Sequence, residues 1–81
     1  MRAFLEPVTV ELSPSGVPLR LNWQGRTLRV LEVRDVWEAG GLWWQGQPNR
    51  EYWWLVTGRN EIEVFHELGG EGRWVLSRCA D

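Results

Sequence analysis

Arg26-Thr27-Leu28-Arg29-Val30-Leu31-Glu32-Val33-Arg34-Asp35-Val36-Trp37 is the stretch that decides the fold. Leu28 and Val30 alternate with polar residues, as in a half-buried strand. The phase then slips, because Leu31 follows Val30 directly and Val33 takes up the new register. It slips again near Val36-Trp37. A slip of one residue is the sequence mark of a β-bulge. Bulges bend strands, and a long bent strand is how a small barrel turns a corner. The stretch predicts one long bent strand, with a bulge near Val30-Leu31, in a small barrel.

The flanking sequence supplies its neighbours. Val8 to Leu12 alternates strictly, and Ser13-Pro14-Ser15-Gly16 is turn chemistry. Leu19, Leu21 and Trp23 form a second alternating set, and Gln24-Gly25 suits a tight hairpin. Glu38-Ala39-Gly40-Gly41 breaks the long strand, and the segment to Asn49 reads as a loop. Arg50 to Thr57 is a strand. Gly58-Arg59-Asn60 is its turn, Glu61 to Leu68 alternates most clearly of all, and Arg73 to Cys79 is the last strand. Gly and Pro recur every 8–12 residues and no window shows helical period, which is the spacing of an all-β barrel or sandwich. The expected fold is a single all-β domain over residues 1–81, with residues 1–7 as an N-terminal arm. Its five or six antiparallel strands form a meander, an SH3-like or open barrel, with no helix longer than two turns.

The expected core is Val10, Leu12, Leu21, Trp23, Leu28, Val30, Tyr52, Trp54, Val56, Ile62, Val64, Trp74 and Leu76. Seven of the 81 residues are tryptophan. A buried Trp contributes roughly 4–6 kcal/mol at about 25 cal/mol/Å², so a small core without staples needs such rings. Two adjacent pairs, Trp43-Trp44 and Trp53-Trp54, carry a second implication. Neighbours on a strand point to opposite faces, so Trp53 and Trp54 cannot share one inner surface. Glu51 and Thr57 have the parity of Trp53 and Leu55, which assigns that set to the outside and Tyr52, Trp54 and Val56 to the inside. Phe65 lies on the face of Glu61, Glu63 and Glu67, and Ile62, Val64 and His66 on the other. Trp53, Leu55 and Phe65 then form an outer apolar patch, covered by Phe4-Leu5 or by a dimer contact.

The expected function is that of a non-enzymatic interaction module. Its candidate partner-binding residues are Trp43 and Trp44 in the loop, Trp53 and Phe65 on the outer face, and Arg50. The partner is a protein or a second copy of the chain. Trp43 and Trp44 equally suit a plug for an open barrel end. The alternative is single-stranded nucleic acid, since Arg20, Arg26, Arg29, Arg34, Arg50 and Arg59 occur among tryptophans, and stacked bases with paired phosphates are held that way. The formal charge of −2 weighs against it.

Catalytic chemistry finds no constellation. His66 is the sole histidine, mid-strand between Phe65 and Glu67. Cys79 is the sole cysteine, so no intramolecular disulfide or cysteine-based metal site forms, and no cofactor is expected. Gly69-Gly70-Glu71-Gly72 opens no helix and so is no phosphate loop. The expected location is cytoplasmic, with no membrane span and no signal peptide. All nine basic residues are arginine, which suggests a bacterial genome of high GC content.

Four stretches carry a resemblance: Arg29 to Trp37, Leu42-Trp43-Trp44, Arg50-Glu51-Tyr52-Trp53, and Gly72-Arg73-Trp74-Val75-Leu76. The chain resembles a family of small bacterial domains of unknown function. From Leu19 to Asp81 it is also similar to the C-terminal segment of ImuB-type proteins, the polymerase-like partners of translesion repair. That resemblance implies an accessory module near DNA repair and carries over no catalytic residue.

Overall fold

The computed structural model describes residues 2–40, 43–69 and 71–80; Gly41, Leu42 and Gly70 therefore lie outside the described residues. Six strands follow one another: β1 (Arg2–Leu12), β2 (Pro18–Trp23), β3 (Arg26–Ala39), β4 (Arg50–Thr57), β5 (Glu61–Glu67) and β6 (Trp74–Ala80). Each pairs antiparallel with the next, and β6 pairs with β1, so the meander closes into a barrel. The expected all-β class is therefore observed, closed where an open barrel was the other expectation. Between β3 and β4 lies one turn of 3-10 helix, Trp43–Gln45.

Closure depends on two long strands that each serve two partners. β3 pairs with β2 through Arg26 to Arg29 and with β4 from Val30 to Ala39. Its register shifts between Val30 and Glu32 and again between Val33 and Asp35, so both slips read from the sequence are bulges. Each extra residue turns the strand, leaving Leu31 62% exposed while Leu28 stays inside. β1 pairs with β6 up to Val8 and with β2 from Thr9 onwards. Most of the expected N-terminal arm is thus strand, and β3 runs through Glu38 and Ala39, where a break was expected. Gln24 and Gly25 have φ of 53° and 75°, closing the β2–β3 hairpin in two residues.

The core is built in rows across the sheet. Val33, Leu55, Ile62 and Cys79 lie side by side, and beside them run Val36, Trp53, Val64 and Leu76. Leu55, Ile62, Val64 and Leu76 are fully buried, and Leu21 and Leu28 complete the centre. His66 and Trp74 form the next row and stack with ring centroids 4.3 Å apart.

This arrangement reverses the expected faces of β4. Trp53 is 8% exposed and points into the barrel, opposite Val64, whereas Tyr52, Trp54 and Val56 are half-buried on the outside. The outer patch of Trp53, Leu55 and Phe65 does not exist as such. The misleading residues were the two polar markers. Thr57 is buried because its hydroxyl serves the next turn, donating to the Asn60 carbonyl at 2.9 Å and accepting from the Asn60 amide at 3.2 Å. Glu51 is half-buried and accepts from Trp53 Nε1 at 3.0 Å. Polar side chains at the two ends of an inward-facing set can satisfy themselves at the barrel mouths. Among the other expected core residues, Leu12 is 40% exposed at the β1–β2 turn, and Val10, Trp23, Val30 and Trp74 are half-buried.

Candidate functional site

The outer face of the sheet carries a second set of rows, offset by one residue from the core. Trp37 on β3 lies opposite Tyr52 on β4, Tyr52 opposite Phe65 on β5, Phe65 opposite Val75 on β6, and Val75 opposite Pro7 on β1. One apolar row thus crosses five strands. The rings of Trp37 and Tyr52 stack 5.4 Å apart and 5° from parallel, and Tyr52 meets Phe65 at 5.4 Å with a 48° tilt. Stacked and tilted aromatic pairs of this kind contribute about 0.5–1.5 kcal/mol each beyond the area they cover.

Arg50 lies in the adjacent row, opposite Ala39 on one side and Glu67 on the other. Its side chain folds over the aromatic row. Cζ sits 4.3 Å from the centroid of Phe65, and Nη1 donates to the Tyr52 hydroxyl at 3.3 Å. This cover helps to explain why Phe65 is 3% exposed although it faces outward. Together Leu5, Trp37, Ala39, Arg50, Tyr52 and Phe65, with Glu63, Ser77 and Arg78, line an open groove of about 630 Å³.

The charges around the groove are unequally satisfied. Glu63 accepts from Ser77 Oγ at 3.0 Å and pairs with Arg78 Nε at 3.3 Å. Glu67 accepts from Arg73 Nε at 2.7 Å, and this hydrogen bond, reinforced by the charge, raises the Arg73 guanidinium above its ordinary value. Arg50 has no carboxylate within ion-pair distance among the described residues, and its Nε is buried without a hydrogen-bond partner. A buried N–H in that condition carries a desolvation cost of about 1–3 kcal/mol.

Two of the five expected partner-binding residues, Phe65 and Arg50, are therefore brought together. Trp53 is removed to the core. Trp44 is 65% exposed on the 3-10 turn, so it does not plug the barrel, and the side chain of Trp43 lies outside the described residues. Phe4, expected as a cover, also has its side chain outside them, while Leu5 stands 76% exposed at the groove rim. Trp37 and Tyr52 were not among the expected site residues. Counting two bulges in β3 puts Val36 inward and Trp37 outward, and Tyr52 shares the parity of Arg50. Among the described residues no cluster of His, Cys, Asp and Glu is arranged to hold a metal ion. No helix there is long and apolar enough to cross a membrane.

A family model for a domain of unknown function, DUF6504, matches residues 1–81. The chain belongs to that family. No curated protein and no solved structure matches it. The family assignment agrees with the resemblance to small domains of unknown function and extends over the entire barrel.

Proposed function

We propose that this barrel is a non-enzymatic interaction module that binds a segment of a protein partner in the outer groove. The observation that carries the reading is the in-register row of Trp37, Tyr52 and Phe65 with Arg50 folded across it. Aromatic and arginine side chains at the centre of a concave surface are the groups that dominate binding energy at protein interfaces. These three rings lie outside the core cluster, to which Trp53 belongs and against which Trp74 packs.

The charge pattern supports a protein partner over single-stranded nucleic acid. Arg20, Arg34, Arg73 and Arg78 each lie against a glutamate, at 2.8, 3.1, 2.7 and 3.3 Å. A phosphate chain draws its affinity from several uncompensated cations, and the groove offers Arg50 beside Glu63 and Glu67. The similarity to ImuB-type tails supports a place near translesion repair for the same module.

Selection of displayed random peptides against the unaltered chain and against Trp37→Ala tests the reading. Enrichment that disappears in the variant is the expected result. Binding of oligo-dT with a steep salt dependence and no peptide enrichment would replace it with the nucleic-acid alternative. Sedimentation showing a dimer that Trp37→Ala dissociates would make the partner a second copy. For the repair setting, a translesion polymerase subunit from the same bacterium should be retained by the immobilised chain and lost with Trp37→Ala.

A further inference from the structure

Resting on the groove as a protein-binding surface, we infer that its occupant is a proline-rich segment in the polyproline II conformation, laid across the strands from Trp37 towards Leu5 and held by neutral donors on Trp37 and Tyr52.

The polarity of the groove disfavours a charged occupant. Glu63 is buried, and its carboxylate already accepts from Ser77 Oγ at 3.0 Å and pairs with Arg78 Nε at 3.3 Å. Glu67, close by, is held by Arg73 Nε at 2.7 Å. The Arg50 guanidinium lies against Phe65 with its Nε sealed by protein atoms. Each of these groups is engaged or covered within the barrel. A partner's charge brought among them would lose hydration without gaining an ion pair.

Two neutral donors remain. The Tyr52 hydroxyl accepts from Arg50 Nη1 at 3.3 Å, which leaves its own proton to donate, and that proton has no acceptor among the described residues. The indole N–H of Trp37 likewise donates to no described residue, and its ring, 36% exposed, stacks on Tyr52. The groove therefore presents aromatic surface and unmatched donors, while its carboxylate acceptors are buried and engaged. A segment fits this pattern when it carries carbonyl oxygens without N–H groups that need acceptors of their own. Proline is the residue that does so.

The conformation follows from the direction of the groove. It runs over the outer face of the sheet, from β3 across β4, β5 and β6 to β1. The backbone groups of β4, β5 and β6 are paired within the sheet, so an occupant lying there finds no ladder to join. It is extended and makes no backbone pairs, as a polyproline II helix is. Four strand spacings of about 4.8 Å make about 19 Å, which roughly six residues span at about 3.1 Å each. Such a helix is ordered before it binds, so docking costs little conformational entropy. Aromatic-lined grooves are the surfaces that take it.

The test titrates two capped heptapeptides into the 15N-labelled chain, Ala-Pro-Pro-Ala-Pro-Pro-Ala and its counterpart with Ser in place of every Pro. The proline peptide is expected to shift the Trp37 indole N–H and to bind about tenfold more tightly than the serine peptide. Its affinity should be nearly constant between about 50 and about 300 mM salt. Tyr52→Phe keeps the ring and removes the donor, and is expected to weaken the proline peptide about fivefold. The peptide pair is compared on the unaltered protein, so that result does not depend on the variant folding. Equal affinity for the two peptides, or a steep loss of binding with salt, would overturn the neutral, proline-rich occupant. Unchanged affinity in Tyr52→Phe would overturn the role of its hydroxyl. No response to the proline peptide would overturn the inference, whereas the groove as a protein-binding surface falls only if the displayed-peptide selection also yields no enrichment that Trp37→Ala removes.

Discussion

Arg50 lies with its Cζ 4.3 Å above the centre of the Phe65 ring, holding an outward-facing phenylalanine almost completely out of water. The two residues are on neighbouring strands but are not cross-strand partners; Arg50 stands opposite Glu67 and reaches two pairs further along the ladder, to Phe65. The guanidinium thus covers an apolar ring while its Nη1 donates to the Tyr52 hydroxyl at 3.3 Å. Arg50→Ala is expected to destabilise the barrel by about 1 kcal/mol, through lost packing and the cation–π contact. Arg50→Met should recover most of that in a urea titration, since it restores cover without charge. If neither change moves the midpoint, the contact has no energetic role.

The two adjacent tryptophans of β4 should respond very differently to truncation. Trp53 is buried among Val64, Leu76 and Trp74, so Trp53→Ala is expected to cost about 3–5 kcal/mol. That is enough to unfold a marginal small domain. Trp54 is half-buried on the outer face with its Nε1 donating to Glu61 at 3.3 Å, and Trp54→Ala should cost about 1–2 kcal/mol. Circular dichroism melts of the two variants rank them directly. The opposite order would return Trp53 to the outside.

The Thr57 hydroxyl anchors the β4–β5 turn. It donates to the Asn60 carbonyl and accepts from the amides of Arg59 and Asn60, at 2.9, 3.3 and 3.2 Å. Thr57→Val keeps the shape and removes these bonds, and is expected to cost about 1–3 kcal/mol because the buried site leaves the turn amides without an acceptor. Thr57→Ser should retain most of the stability. Denaturant midpoints of both variants distinguish a polar role from a packing role.

Two glycines in turns separate conformational need from mere small size. Gly25 has φ of 75° with open space around its would-be Cβ, so Gly25→Ala should destabilise by about 1 kcal/mol through backbone strain alone. Gly58 also has open space but no positive φ, and Gly58→Ala should be neutral or stabilise by about 0.4–1 kcal/mol. Equal effects at the two positions would contradict the hairpin geometry.

Cys79 is 3% exposed on the inner face of β6, opposite Ile62. Its thiol should react with a disulfide reagent only as fast as the barrel opens, so the labelling rate should rise with urea along the unfolding curve. Fast labelling in native buffer would mean that β6 frays independently of the rest.

Much of the architecture was legible in local pattern. Gln24-Gly25 marked a two-residue hairpin, Arg50 to Thr57 marked a strand to its exact ends, and the phase slips after Val30 and near Val36 marked two bulges. Each of these is a property of a few consecutive residues, because turn chemistry and alternation act over short range. The alternation of β5 also separated Ile62 and Val64 from Phe65 correctly. What the chain alone could not decide was which alternating set of β4 faces inward. Both sets contain tryptophan and aliphatic residues, so period-2 patterning is nearly symmetric there, and only the cross-strand register of Trp53 with Val64 and Tyr52 with Phe65 breaks the tie. The same holds for the groove. Trp37, Tyr52, Phe65 and Arg50 come from three strands, and barrel closure sets them on one face. A side-chain row across strands is a product of register and of the bulges that set it, which no single strand encodes.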